Sequence, residues 1–152
     1  MEGYLSRFRK QWATWILAPA ILVLGLYGEE SMLQLKMMYE SFGLAWRLMD
    51  DFQDWQKDFQ TSQISAVYYY LPENLQQEWK ECNKSEDNTE ISQFIEKESI
   101  RFKILKRIMN ELKNSIRLAN ELGFEGMANE FEFMTHFRGI SQTSSWMTSS
   151  NP

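Results

Sequence analysis

Residues 31–60 read SMLQLKMMYESFGLAWRLMDDFQDWQKDFQ, and they decide the fold. Apolar side chains recur at Leu35, Met38, Phe42, Ala45, Leu48, Met49, Phe52, Trp55 and Phe59. That three-and-four spacing is the stripe of an amphipathic helix facing a core. The reading predicts one long helix over 31–60. Thr61-Ser62-Gln63 breaks it, and a tyrosine-rich apolar piece follows from Ile64 to Leu71. Pro72 suits a first helical turn, so 72–82 is expected as a short helix. The run Asn83 to Thr89 reads as a loop. From about Asn88 to Leu122 a second long helix is expected, with Asp87 and Glu90 at capping-box spacing. Its stripe is Ile91, Phe94, Ile95, Phe102, Leu105, Ile108, Met109, Leu112 and Ile116, and Gly123 ends it. A last helix covers 125–137.

The fold class that follows is all-α, a bundle of long antiparallel helices. Residues 1–138 are expected to form the helical domain, and the Ser/Thr-rich 139–152 a disordered tail. The scarcity of Gly (7) and Pro (3) in 152 residues agrees, because a sandwich or barrel needs many turns.

At the N-terminal side, Arg7, Arg9 and Lys10 precede an apolar run from Trp12 to Tyr27, and Glu29-Glu30 follow it. Such a pattern serves a signal peptide or membrane anchor as well as a core helix. The run is shorter than the roughly 20 residues a spanning helix needs, and Pro19 interrupts it. A buried core helix is therefore expected there, with membrane insertion as the alternative.

Composition narrows the chemistry. The formal charge is −5 and no basic stripe dominates, which argues against a nucleic-acid partner. One cysteine, Cys82, excludes an internal disulfide and suits a reducing, cytoplasmic compartment. It reads as an ordinary thiol. One histidine, His136, lies among Phe133, Met134 and Phe137 and reads as a satisfied side chain facing a partner rather than a base. Asn83-Lys84-Ser85 has sequon spacing, a pattern short enough to arise by chance. Tyr68-Tyr69-Tyr70 serves packing or a pocket equally well.

The densest chemical pattern is Asp50-Asp51-Phe52-Gln53-Asp54 with Lys57 and Asp58. On a continuous helix, Asp50, Asp54 and Asp58 would share one face, where like charges repel unless a cation joins them. Hard carboxylates suit Mg²⁺. Tyr39, Phe42, Gly43 and Trp46 continue that face backwards, so it has an aromatic half and an acidic half. Core packing with a solvated acidic rim accounts for the same spacing.

The segment Phe42 to Pro72, FGLAWRLMDDFQDWQKDFQTSQISAVYYYLP, resembles the second aspartate-rich region of class I isoprenoid synthases. Asp50, Asp51 and Asp54 are similar to the D-D-x-x-D of prenyl synthases. Tyr70-Leu71-Pro72 is similar to the Y-L-P element of squalene/phytoene synthases. The resemblance implies Mg²⁺-dependent ionisation of an allylic prenyl diphosphate, a transferase chemistry of isoprenoid or terpenoid synthesis. It implies Asp50 and Asp54 as Mg²⁺ ligands and Asp51 as the residue orienting them. Arg47 and Lys57 would meet the diphosphate, and Tyr39, Phe42 and Trp46 would line the prenyl pocket. A second acidic motif is absent from the sequence before Ala45, where Glu29-Glu30 is the nearest substitute. The resemblance therefore implies a C-terminal half, completed by an N-terminal half, a separate subunit or a second copy. The contrasting expectations are a non-catalytic helical interaction subunit and a small membrane-anchored protein.

Overall fold

The computed structural model describes residues 1–81, 89–97 and 99–136. Among these residues there are seven α-helices and one 3-10 turn, and no strand. The helices are α1 (Glu2–Trp15), α2 (Leu17–Gln53), α3 (Trp55–Gln60), α4 (Glu73–Glu81), α5 (Thr89–Lys97), α6 (Ile100–Glu121) and α7 (Glu125–Thr135). Tyr68–Tyr70 form the 3-10 turn. The all-α bundle expected from the spacing is the observed architecture.

Its frame is a helical hairpin. Tyr4, Leu5, Phe8, Trp12 and Ile16 form an apolar ridge on α1 and its end, and this ridge lies along α2 in the opposite direction. Tyr4 meets Asp51, Phe8 lies under Arg47, and Trp12 covers Gly43. Each step of four along α1 thus matches a step of four back along α2, as an antiparallel helix pair demands. The turn falls at Gly28, whose φ of 85° is non-helical and suits a residue without a Cβ. α2 is therefore two helical pieces, 17–27 and 29–53, joined at that glycine.

α6 packs along the second piece. The Ser115 hydroxyl donates to the Met38 carbonyl at 3.1 Å, and the Asn114 amide donates to the Ser41 hydroxyl at 2.8 Å. α7 folds back on α6 after Gly123 (φ 73°), where the Phe124 N–H donates to the Ala119 carbonyl at 2.8 Å. This is the glycine-terminated helix end expected from the sequence. The larger core joins Leu44, Leu48, Phe59, Trp79, Ile91, Ile104, Ile108 and Leu112; a smaller one joins Val23, Leu35, Met38, Leu118 and Phe131. Trp79 is fully buried, and its indole N–H donates to the Gln63 carbonyl at 3.0 Å.

Four expectations are corrected. The helix over 31–60 stops at Asp54 (φ −99°, ψ 9°), and α3 begins anew at Trp55. The helix over 88–122 is broken at Ser99, which takes a left-handed conformation with φ 54°. Phe102, placed in the buried stripe, is 41% exposed, and Ile104 occupies the core instead. The largest correction concerns the apolar run. Only Ile16 and Val23 of it are buried; Trp15, Leu17, Ile21, Leu22, Leu26 and Tyr27 are each at least 60% exposed. Hydropathy favoured burial, but one side of a helix suffices to reach the bundle, and here the outer side is apolar too. Among the described residues no single helix is long and apolar enough to cross a membrane, although α1 and α2 together pass that test as a bent pair. Cys82, the sequon at 83–85, Asp87, Phe137 and the tail 139–152 lie outside the described residues.

Candidate functional site

Asp50 and Asp51 are neighbours on α2, about 100° apart around the helix, so they face different surroundings. Asp51 lies in register with Leu44 and Leu48, on the inward face, and is 1% exposed. Its Oδ2 accepts hydrogen bonds from the Tyr4 hydroxyl at 2.5 Å and from the Ala66 N–H at 2.7 Å. Its Oδ1 is paired with Arg47 Nη2 at 2.7 Å, off the hydrogen-bonding direction. Asp51 thus ties α1, α2 and the 64–71 segment together. Burial pushes its carboxyl above the usual range, against the opposing pull of Tyr4, Ala66 and Arg47. The Tyr4 phenol is raised too, first by burial and then by its bond to Asp51.

Arg47 is the hub. Its Nε donates to the Tyr4 oxygen at 3.2 Å, its Nη1 pairs with Asp50 at 3.2 Å, and its guanidinium lies 4.7 Å over the Phe8 ring. Burial alone would lower its pKa, but Tyr4, Asp51 and Asp50 together raise it. A half-buried cation with this many partners stays charged and fixed in place.

Asp50 itself is exposed, and it stands on the rim of an open cleft of about 310 Å³. The cleft is lined by Phe8, Gln11, Trp12 and Trp15 from α1 and its end, and by Trp46 and Arg47 from α2. The close approach of the helices is possible because Gly43 has no side chain. A Cβ there would overlap the Trp12 indole. The arrangement puts a carboxylate and a guanidinium at one edge of an aromatic trough.

The other residues singled out from sequence are not among those lining this cleft. Asp54 is exposed at the bend between α2 and α3, one helical turn beyond Asp50, and Lys57 is exposed on α3. Phe42 is half-buried, stacked on Phe131 at 4.6 Å and edge-on to Trp12 at 6.1 Å. Tyr39 faces a different hollow, of about 500 Å³, between Pro19, Val23 and Leu35 and the 123–127 turn. So Trp46, Arg47 and Asp50 are brought together, and Tyr39 is not among them. Asp58, which the continuous-helix reading set on the acidic face, is 7% exposed. Burial and then the Asp51 charge push its carboxyl up to about 6, against Arg47 and the Ser65 hydroxyl. His136 is exposed, its ring Nδ1 3.1 Å from the Glu132 carbonyl.

Among the described residues no three His, Cys, Asp or Glu side chains converge as a metal-binding group. The two exposed aspartates are hard oxygen donors of the kind Mg²⁺ accepts, and one or two carboxylates are its usual protein share. Asp50 and Asp54 are thus donors of the type that Mg²⁺ takes, Asp50 being already ion-paired with Arg47. The residues that sequence reasoning missed are Tyr4, Phe8 and Trp12. Their spacing of four was the available signal, masked by the intervening Arg7, Arg9 and Lys10. No protein-family model, curated protein or solved structure matches this chain.

Proposed function

We propose that this chain is part of an enzyme resembling the class I isoprenoid synthases, one that takes an allylic prenyl diphosphate with Mg²⁺ in a reducing, cytoplasmic compartment. The observation that supports it is the cleft, where exposed Asp50 and half-buried Arg47 meet a wall of Trp12, Trp15 and Trp46. A diphosphate head and an apolar tail need that division of labour. Asp50 and Asp54 would hold the metal; bound there, Mg²⁺ would supply Lewis-acid neutralisation of the leaving diphosphate. Asp51 acts as a positioning residue: by fixing Arg47 it fixes the rim on which Asp50 stands. Lys57 and the outer edge of Arg47 bring positive charge to the diphosphate. The indole faces offer about 0.5–2 kcal/mol of cation–π stabilisation to an allylic cation. The trough is open on one side, so catalysis needs a complementary N-terminal half, a subunit or a second copy to exclude water and supply a facing acidic motif.

The test is a thermal melt with Mg²⁺ and inorganic diphosphate. A ligand at a hundredfold excess over its Kd adds about 2.7 kcal/mol, or roughly 5–10 °C for a chain of this size. Asp50→Asn combined with Asp54→Asn should abolish the rise. An unshifted wild type, or a shift that survives both substitutions, refutes the reading.

A second reading is a non-catalytic helical interaction subunit, favoured by the exposed apolar side of 17–27. It expects tight self-association or partner binding with no response to Mg²⁺ and diphosphate.

A further inference from the structure

We propose that the 17–27 piece of α2 is a self-association surface, on which the same piece of a second copy lies antiparallel. This inference goes beyond the diphosphate reading and does not depend on it.

The segment is fastened to the bundle along one side only, through Ala20 and Val23. The rest of its circumference carries Leu17, Ile21, Leu22, Leu24 and Leu26, exposed by 61, 60, 67, 46 and 73%. No charged residue occurs between Gln11 and Gly28. A solvent-facing helix side is ordinarily polar, and an apolar patch of this extent marks a contact surface.

Shape and charge select the occupant. Ala18 and Gly25 lie two turns apart at the middle of the exposed side, and a Cβ on Gly25 would meet nothing within 4 Å. They form a shallow trough between ridges that start at Leu17 and Leu22, the relief into which another helix packs closely. An antiparallel two-fold through Ile21 and Leu22 sets Ala18 of one copy against Gly25 of the other, a self-complementary match. The ends agree as well. Exposed Arg7 and Lys10 precede the segment, and exposed Glu29 and Glu30 follow it. Antiparallel copies bring each basic end toward the partner's acidic end. An anionic bilayer would attract one end and repel the other.

The test is light scattering on the purified full chain. Wild type should show twice the 18.1 kDa chain mass. Ile21→Glu with Leu22→Glu should run as one chain with an unchanged circular dichroism spectrum, since neither side chain is in the core. In a Cys82→Ser background, Leu22→Cys should cross-link to itself under mild oxidant. Ala18→Cys should cross-link only when Gly25→Cys is present too. A monomeric wild type overturns the proposal, as does a dimer that survives the double glutamate variant. A monomer that floats with phosphatidylcholine–phosphatidylglycerol vesicles assigns the surface to lipid instead. Repeating the Mg²⁺–diphosphate melt on the monomeric variant keeps the two proposals separate, because Ile21 and Leu22 lie outside the cleft.

Discussion

Gly43→Ala should reverse its sign depending on residue 12. In wild type the new methyl would fall on the Cγ, Cδ1 and Cδ2 atoms of Trp12, at the base of the indole, which a small rotation cannot clear. Overpacking of this kind costs about 1–3 kcal/mol, while Gly to Ala in a helix interior returns about 1 kcal/mol. An overlap with three ring atoms puts the cost in the upper part of that range, about 2–3 kcal/mol, so the net expectation is a loss of about 1–2 kcal/mol, or roughly 2–8 °C in Tm. In a Trp12→Ala background the obstacle is gone and the propensity gain remains. There Gly43→Ala should stabilise by about 0.5–1 kcal/mol. The coupling energy across the double-mutant cycle is then about 2 kcal/mol, within the range for contacting residues. Urea denaturation of the four proteins, followed by far-UV circular dichroism, measures it. A Gly43→Ala protein as stable as wild type, or equal effects in both backgrounds, would refute the close helix approach on which the hairpin and its cleft depend.

Two further outcomes test the buried charges. Tyr4→Phe removes the hydroxyl that donates to Asp51 Oδ2 and accepts from Arg47 Nε, so it should cost about 1.5–3 kcal/mol in urea denaturation; a loss under about 0.5 kcal/mol would mean that the Asp51 cluster is not formed in solution. Asp58 carries a folded pKa of about 6 against about 3.9 unfolded, so the folded state binds the extra proton between these values. Its contribution is then fully present below about pH 4 and lost as pH rises through about 6. Discounted for solvent screening near the surface, Asp58→Asn should stabilise by about 1 kcal/mol at pH 8 and by little at pH 4. Parallel pH profiles of the variant and wild type would contradict the shift.

The helical class was legible because the stripe from Leu35 to Phe59 repeats at the helical period over many turns. Its interruptions were not. Asp54 and Ser99 break their helices without the glycine or proline that would announce it, because the packing of Phe59 and Ile100 into the core outweighs local preference. Asp51 was legible in principle: it continues the Leu44–Leu48 face, which an outward ligand would not. The exposed 17–27 segment was the opposite case. Hydropathy reports that apolar residues are present, and what covers them lies beyond any one-dimensional reading. Of the site, the grouping of Trp46, Arg47 and Asp50 followed from spacing on one helix, whereas the wall from α1 required the third dimension.

The Asp51 carboxylate has a consequence for how the molecule assembles as it is synthesised. Its supporters are spread from Tyr4 to Ala66, so the earliest-made contributor waits longest for the last. Once residue 53 has emerged, the two arms can begin to zip from Gly28, but closing the far end would strand an anion short of its backbone amide. That end should stay ajar, wetting the charge, until the stretch carrying Ala66 arrives to latch it.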